Sequence, residues 1–237
     1  MNPTQAIFRN SVFFFVLIPL FAVWGFWTTY FTRPPETMVA WDHLHGIGMF
    51  AWCAMLIVQS FLIRTNKRNV HRAVGKLSYL LAPYIVVTTI ALANYKINER
   101  GLGDLGLYVL NLQVFILVQF VVSYSLAIRN RKKPDVHARF MICTALTLLD
   151  PIFARVLLVN FMQFDMIVTG VAQMYTYGLI DVILISLVVW DWKSQKRKDV
   201  FLPMLVFFVL TQLPTFFVLQ SSAWKAFAGW FMALPLS

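Results

Sequence analysis

Charge is scarce in this chain: only 13% of its 237 residues are Asp, Glu, Lys or Arg, whereas 59% are apolar. That balance excludes an ordinary soluble domain, which needs a polar surface. The net charge of +10 comes from 20 basic and 10 acidic residues. Because most of the basic residues fall in gaps between long apolar segments, they predict membrane topology, and no nucleic-acid partner is expected.

Cysteine and histidine are also scarce, with two and four residues. The predicted depths of Cys53 and Cys143 in their helices differ by roughly 10 Å, too far for a disulfide. Four histidines are too few for a membrane di-iron hydroxylase. The sequence also lacks a His-Glu-x-x-His element, a Walker loop, a Gly-x-Ser-x-Gly elbow and a Cys-x-x-Cys pair. No enzymatic reaction is predicted from these absences.

The main feature of the sequence is a series of seven long apolar segments. Each approaches the length of about 20 residues that a helix needs to cross a bilayer, and they lie near 11–31, 43–63, 77–95, 106–128, 140–160, 168–190 and 201–220. The first segment follows Arg9 but has no small-residue cleavage site after it, so we expect it to be retained. The sequence predicts an all-α integral membrane protein with one helical-bundle domain over 1–237 and an interfacial segment at 222–236.

The basic residues alternate between the gaps. Arg155 lies within a segment, four basic residues occupy the even-numbered gaps, and the other fifteen occupy the odd-numbered ones: Arg9, Arg64, Lys67, Arg68, Arg72, Lys76, Arg129, Arg131, Lys132, Lys133, Arg139, Lys193, Lys196, Arg197 and Lys198. Short loops rich in Lys and Arg stay cytoplasmic. We therefore expect the N-terminus inside and the C-terminus outside a bacterial inner membrane, with the inner loops against anionic lipid headgroups.

Two stretches of the chain look alike. Each has a basic run, then Val-His and an Arg within two residues, then a helix with a Pro; the histidines are His71 and His137. The pattern predicts that spans 2–3 and 4–5 are hairpins related by an axis along the membrane normal, with both histidines at equivalent depth. Convergence of two cytoplasmic loops is the alternative, because any such loop collects basic and turn residues.

The runs NVHRAVGKLSY and KPDVHARFMICTALTLLDPIFAR follow HLHGIGMFAWCAMLIVQSFLIR in this bundle. Over roughly residues 40–160 they resemble a bacterial family of polytopic membrane proteins classed as a domain of unknown function. In that family a His-Arg-x-x-Gly element and a later His-x-Arg-x-Met element precede helices. The matching positions here are His71, Arg72 and Gly75, then His137, Arg139 and Met141. The resemblance implies a fold and these positions, and no established activity.

The histidines form two pairs about 30 Å apart along the bundle, too far to share a metal centre. At the inner ends of spans 3 and 5, His71 and His137 could be the axial ligands of one haem, one from each hairpin. The alternative is that they are solvated helix-start residues. Arg72 and Arg139 are expected to bind the cofactor beside the histidines, and in the alternative they would anchor to lipid phosphates.

The outer pair comprises His43 and His45, which share span 2 with Met49. Imidazole and thioether suit Cu(I), and Met162 and Met166 also lie on this side. Methionine is equally a common core filler. On a continuous helix, side chains two positions apart, such as those of His43 and His45, point about 200° away from each other. If the helix starts at His43 with Asp42 as its N-cap, only His45 faces inward.

Several polar residues are predicted deep in the bundle, and ionisable groups at that depth usually face a cavity or each other. We expect an outward-opening polar cavity bounded by spans 2, 4, 5 and 6, formed by Asn111, Gln113, Asp150, Arg155, Tyr177 and Asp181. Pro151 should kink span 5 next to Asp150 and free a carbonyl near Thr147. A structural ion pair is the alternative, with Asp181 as the expected partner of Arg155.

Two functions are compatible with these features. The first is a membrane redox or cofactor-binding protein that holds haem or copper and exchanges electrons with quinone-type carriers. The second is a proton-linked permease for a small anionic solute, indicated by Asp150, Asp181 and Arg155. An accessory subunit of a larger complex and a lipid-handling protein are further alternatives, and the sequence does not predict an oligomeric state.

Overall fold

The computed structural model describes residues 3–162, 170–195 and 197–236, with only the backbone for 3–10 and 195. The described residues form helices and connecting turns, without a strand among them. The helices are α1 (Pro3–Phe26), α2 (Ala40–Arg64), α3 (Arg68–Gly75), α4 (Ser78–Arg100), α5 (Asp104–Arg129), α6 (Pro134–Leu146), α7 (Leu149–Asn160), α8 (Val171–Gln195), α9 (Phe201–Gln212), α10 (Pro214–Phe217) and α11 (Ser222–Met232). A π-helical turn, Trp27–Phe31, extends α1.

Six stretches of the described chain are long and apolar enough to cross a membrane: Ser11–Phe31, Ala40–Arg64, Arg68–Arg100, Asp104–Arg129, Pro134–Asn160 and Val171–Ser194. A seventh is reached only if Phe201–Phe217 and Ser222–Met232, which are inclined at 94° to each other, are counted as one span. The predicted all-helical fold is therefore confirmed for the described residues, with six to seven helices long and apolar enough to span a membrane. Several of the observed helices extend beyond the predicted segments, because helical hydrogen bonding continues into the polar flanks where hydropathy falls.

The helix ends that carry the basic loops meet at one end of the bundle, which we call the basic end. Arg131 of the α5–α6 loop reaches the Tyr79 hydroxyl at the start of α4 at 3.4 Å. Arg197, between α8 and α9, lies 3.9 Å from the Asp135 carboxylate at the start of α6. The Arg64 guanidinium at the end of α2 lies 4.8 Å from the centre of the Phe13 ring in α1.

The core of the bundle is built from three apolar clusters. The first joins α1, α2, α4, α5, α6 and α7 around the fully buried Trp52. The second joins α5, α6, α8 and α9, and the third holds α11 against α4 and α5. Glycine allows close approach at two crossings: a Cβ on Gly25 would lie 2.8 Å from the Ile152 carbonyl oxygen, and one on Gly48 would lie 2.9 Å from the Tyr84 ring. Small residues have this role in membrane bundles generally.

The two predicted hairpins, spans 2–3 and 4–5, share features but are not identical. In each hairpin the second span starts at the basic end, and its helix is interrupted. The interruption falls at Lys76–Leu77, about one and a half turns after His71, and at Thr147–Leu148, about three turns after His137. The second break is the one predicted from Asp150-Pro151. The repeat itself stays a prediction.

The C-terminal helix α11 runs across the ends of two others. Asn94 in α4 donates to the Phe231 carbonyl at 2.7 Å, and the Trp224 indole donates to the Leu107 carbonyl in α5 at 3.3 Å. The sharp turn before α11 and its apolar residues suit the predicted interfacial position of 222–236.

Candidate functional site

The structure brings His71 and His137 together at the basic end. His71 lies in the first turn of α3 and His137 in the first turn of α6, each directly after a basic loop. The centres of the two imidazole rings are 6.5 Å apart, and the ring planes are inclined at 79°. Both side chains are half-buried. We call these two residues the histidine pair.

Each histidine of the pair has a partner that engages its Nδ1 atom. The Nδ1 of His137 lies 2.9 Å from the carbonyl oxygen of Ala127, near the end of α5. On the other side, the Gln59 side chain of α2 contacts the Nδ1 of His71. When its amide is oriented to suit its neighbours, its nitrogen donates to the His71 Nδ1 and to the His71 carbonyl oxygen (3.1 Å), and its oxygen accepts from the Gly75 N–H (2.9 Å). In both rings the described hydrogen-bond contact is made through Nδ1.

The two arginines predicted beside the histidine pair differ in their surroundings. Arg72 is exposed at the basic end and keeps its predicted freedom to bind an anionic group. Arg139 is only 2% exposed, and its guanidinium donates to both oxygens of Asp191 in α8, at 2.6 and 2.7 Å. It also donates to the Asp135 carbonyl at 2.8 Å. The expectation that Arg139 anchors to a phosphate or a cofactor is therefore wrong, because its guanidinium is buried and already hydrogen-bonded to the Asp191 carboxylate.

At the opposite end, α2 begins at Ala40, before both histidines, with Val39 as its N-cap. Asp42 is not the N-cap, contrary to expectation; it lies in the first turn and accepts from the Val39 N–H at 3.2 Å. His43 and His45 therefore project from a continuous helix in different directions. The Nδ1 of His43 lies 2.9 Å from the Tyr30 hydroxyl.

The residues predicted to bind copper do not meet at one point. The Nδ1 of His45 lies 3.3 Å from the Thr89 hydroxyl of α4, and Met49 packs against the first apolar cluster. Met166 lies outside the described residues. Within the described chain, no three His, Cys, Asp or Glu residues group as metal ligands would. A copper site at His45 and Met49 stays a prediction.

The polar residues predicted deep in the bundle do come together, but partly with different neighbours. Thr176 of α8 donates to one oxygen of Asp150 at 2.5 Å. The Tyr177 and Thr215 hydroxyls are 3.0 Å apart, and Thr215 donates to the Asn111 side-chain oxygen at 3.0 Å. The prediction placed span 2 at the boundary of the cavity, whereas Thr215 of α10 contributes to this group; the contribution of α8 agrees with the predicted span 6.

The remaining predicted members of the cavity lie apart from this group. Asp181 accepts from Gln212 of α9 at 3.2 Å, and the side-chain oxygen of Gln113 is buried without a hydrogen-bond partner in the described structure. Arg155 donates to the Pro151 carbonyl at 3.2 Å and lies 4.2 Å from the centre of the Phe26 ring. The predicted Arg155–Asp181 ion pair is wrong, because Asp181 faces α9 while Arg155 faces α1.

Sequence reasoning missed four residues that contact the predicted ones: Gln59, Gln173, Thr176 and Asp191. Gln173 accepts from the Tyr108 hydroxyl, and it lies one helical turn from both Thr176 and Tyr177. That spacing on a single apolar helix is a signal that could have identified a polar face. Asp191 gave no such signal, since it follows an apolar run and reads as the ordinary polar end of a span.

A smaller charged group at the basic end involves Arg197 and Asp199. Arg197 donates to both oxygens of Asp199, at 3.0 and 2.7 Å, and these hydrogen bonds hold the pKa of the Asp199 carboxyl below its usual range. A depressed carboxyl pKa stabilises the fold above the unfolded-state pKa, and the contribution is lost as the pH falls through the folded value. Because both side chains are partly exposed, the effect is small.

No protein-family model, curated protein or solved structure matches the chain.

Proposed function

We propose that this protein is a membrane redox protein that binds one haem between His71 and His137. The observation that carries the proposal is the histidine pair: two imidazoles from different helices, with centres 6.5 Å apart, at the junction of two helical hairpins. Helical bundles commonly hold haem in this way. A bound haem would supply one-electron transfer, and quinone-type carriers in the lipid suit it as electron partners.

The distance between the rings fits two axial ligands. An imidazole nitrogen binds a first-row metal ion at about 2 Å, so two imidazoles on opposite sides of one ion have ring centres roughly 6 Å apart. The measured 6.5 Å is close to that value.

The hydrogen bond at the Nδ1 of His137 also supports the proposal. A metal-binding histidine usually donates its second ring N–H to a carbonyl or another acceptor, which fixes the ring and its tautomer. The Ala127 carbonyl provides that acceptor for His137. For His71 the Gln59 amide, in the orientation that suits its neighbours, donates to Nδ1 instead, so this support applies to His137 alone.

The charges around the histidine pair suit an anionic group. Arg72 is exposed one residue after His71, and the loops before α3 and α6 are strongly basic. The acidic side chains of a porphyrin would be neutralised there, as would lipid phosphates.

We also propose that the bundle has seven spans, with the basic end in the cytoplasm of a bacterial cell. The alternation of basic residues supports this orientation. Alkaline phosphatase fused after Gly103 should be active, and the same enzyme fused after Lys133 should be inactive. Activity at 133 without activity at 103 would mean that the orientation is inverted.

The haem proposal is tested by the absorption spectrum of the protein purified in detergent from cells supplied with haem precursor. We expect a Soret band that shifts on addition of dithionite, and about one haem per chain in a pyridine haemochrome assay. A colourless preparation without haem, obtained in the same way, would refute the proposal.

A further inference from the structure

A second group of buried polar residues lies away from the histidine pair, where two helices are interrupted. The regular helical hydrogen bonding is interrupted at Thr147–Leu148 between α6 and α7, and at Leu213 between α9 and α10, although these residues keep helical dihedral angles. Asp150 and Thr215 each lie within three residues after a break. Interrupted helices inside a membrane bundle release backbone hydrogen-bonding groups and are a common way to build an intramembrane site.

The Asp150 carboxyl is enclosed and has no cationic partner. It is 3% exposed, and one of its oxygens accepts from Thr176 at 2.5 Å. The other oxygen, Oδ2, is buried and has no hydrogen-bond partner in the described structure, and no Lys, Arg or His of the described chain is within salt-bridge distance. An unpaired carboxylate in such a place is so costly that the group takes up a proton instead.

Hydroxyl and amide groups surround this carboxyl. Because Thr215 gives its only hydroxyl hydrogen to Asn111, the hydrogen between Tyr177 and Thr215 must come from Tyr177. The Asn111 amide nitrogen is left without a partner, although Asn111 is fully buried. The group therefore holds an unpartnered donor and an unpartnered carboxyl oxygen, the combination that buried water satisfies.

The ionisable groups near Asp150 come from its own helix and from two neighbouring ones. They are Arg155 of α7, Tyr108 of α5 and Tyr177 of α8, and each interacts electrostatically with the carboxyl. From α1, which also packs on α7, Gly25 and Phe26 contribute only backbone and apolar contacts. Arg155 is close enough to favour the carboxylate without forming an ion pair with it.

We propose that this group is a proton-exchange site in which Asp150 takes up and releases one proton through water held among α5, α7, α8 and α10. On release, the O–H bond of the neutral carboxyl breaks and its proton passes to a water oxygen. The resulting carboxylate keeps the hydrogen bond from Thr176 and is stabilised by Arg155. Uptake is the reverse, and neither step requires a haem.

Infrared difference spectroscopy between acid and alkaline pH, in H₂O and in D₂O, tests the site. We expect the C=O stretching band of a neutral carboxyl at neutral pH, which disappears at alkaline pH and shifts in D₂O. Asp150→Asn should remove this band. The matched control Asp181→Asn, in which the changed carboxyl accepts from Gln212 instead, should leave the band in place.

A second variant keeps the carboxyl and provides a test if Asp150→Asn fails to fold. Thr176→Val removes the hydrogen bond to Oδ1, so the band should persist and move to higher wavenumber, where a less strongly bonded C=O absorbs. The proposal is wrong if the wild-type protein shows no such band, or if the band does not shift in D₂O. It is also wrong if the band is still present in Asp150→Asn, or if its wavenumber is unchanged in Thr176→Val.

Discussion

Replacing either His71 or His137 with alanine should abolish the low-spin haem spectrum of the purified protein. Each substitution removes one of the two imidazoles that lie 6.5 Å apart, and a single remaining ligand leaves the iron five-coordinate or the haem unbound. We expect complete loss of the low-spin bands, with at most a weakly bound high-spin haem. The measurement is the reduced-minus-oxidised spectrum together with the haem-to-protein ratio.

His43→Ala provides the matched control. His43 lies at the opposite end of the bundle, bonded to Tyr30, so its removal should leave both the bands and the haem content unchanged. Each variant must elute as the wild-type protein does on size exclusion, which separates loss of haem from loss of fold. Low-spin bands retained in both His71→Ala and His137→Ala would rule out the histidine pair as the haem site.

The largest expected loss of stability follows from Arg139→Gln. The Arg139 and Asp191 side chains are 2% and 4% exposed, and two short hydrogen bonds join them. Removing one partner strands a buried charge, which costs about 3–5 kcal/mol. Thermal unfolding in detergent should show a Tm several degrees or more below that of the wild-type protein. The double change Arg139→Met with Asp191→Leu should recover most of the loss, because no charge then stays buried.

Arg197→Gln is the control for this experiment. Arg197 pairs with Asp199 at the same end of the bundle, but both side chains are partly exposed, and an exposed pair contributes at most about 1 kcal/mol. Its Tm should therefore be close to that of the wild-type protein. If Arg139→Gln is as stable as Arg197→Gln, the Arg139–Asp191 pair does not stabilise the fold.

The fold was largely predictable because the bilayer imposes one strong constraint. A helix that crosses apolar lipid must be long and apolar, so the segments appear directly in the hydropathy of the chain. The break before Asp150 was also predictable, because Pro151 cannot donate the hydrogen bond that a continuous helix needs. The interruption at Lys76–Leu77 was not predicted, although Gly75 directly precedes it and glycine favours the end of a helix.

The partners of the polar residues were much harder to predict. Two histidines in repeated motifs could be placed at the same depth, and the structure does bring His71 and His137 together. The partners of Arg139 and Arg155, however, depend on how far each helix is rotated about its axis and on which neighbour it faces. Neither quantity is encoded in the spacing of charges along one helix, so Asp191 was missed and Asp181 was assigned wrongly.

The most direct test of the haem proposal is the low-temperature electron paramagnetic resonance spectrum of the oxidised wild-type protein. Two imidazole ligands give a low-spin ferric signal, and ring planes inclined at 79° predict a strongly anisotropic one with a large highest g value. That signal should vanish in His71→Ala and in His137→Ala. A high-spin signal in the wild-type protein, or no haem signal, would contradict the assignment of His71 and His137 as the two axial ligands of one haem.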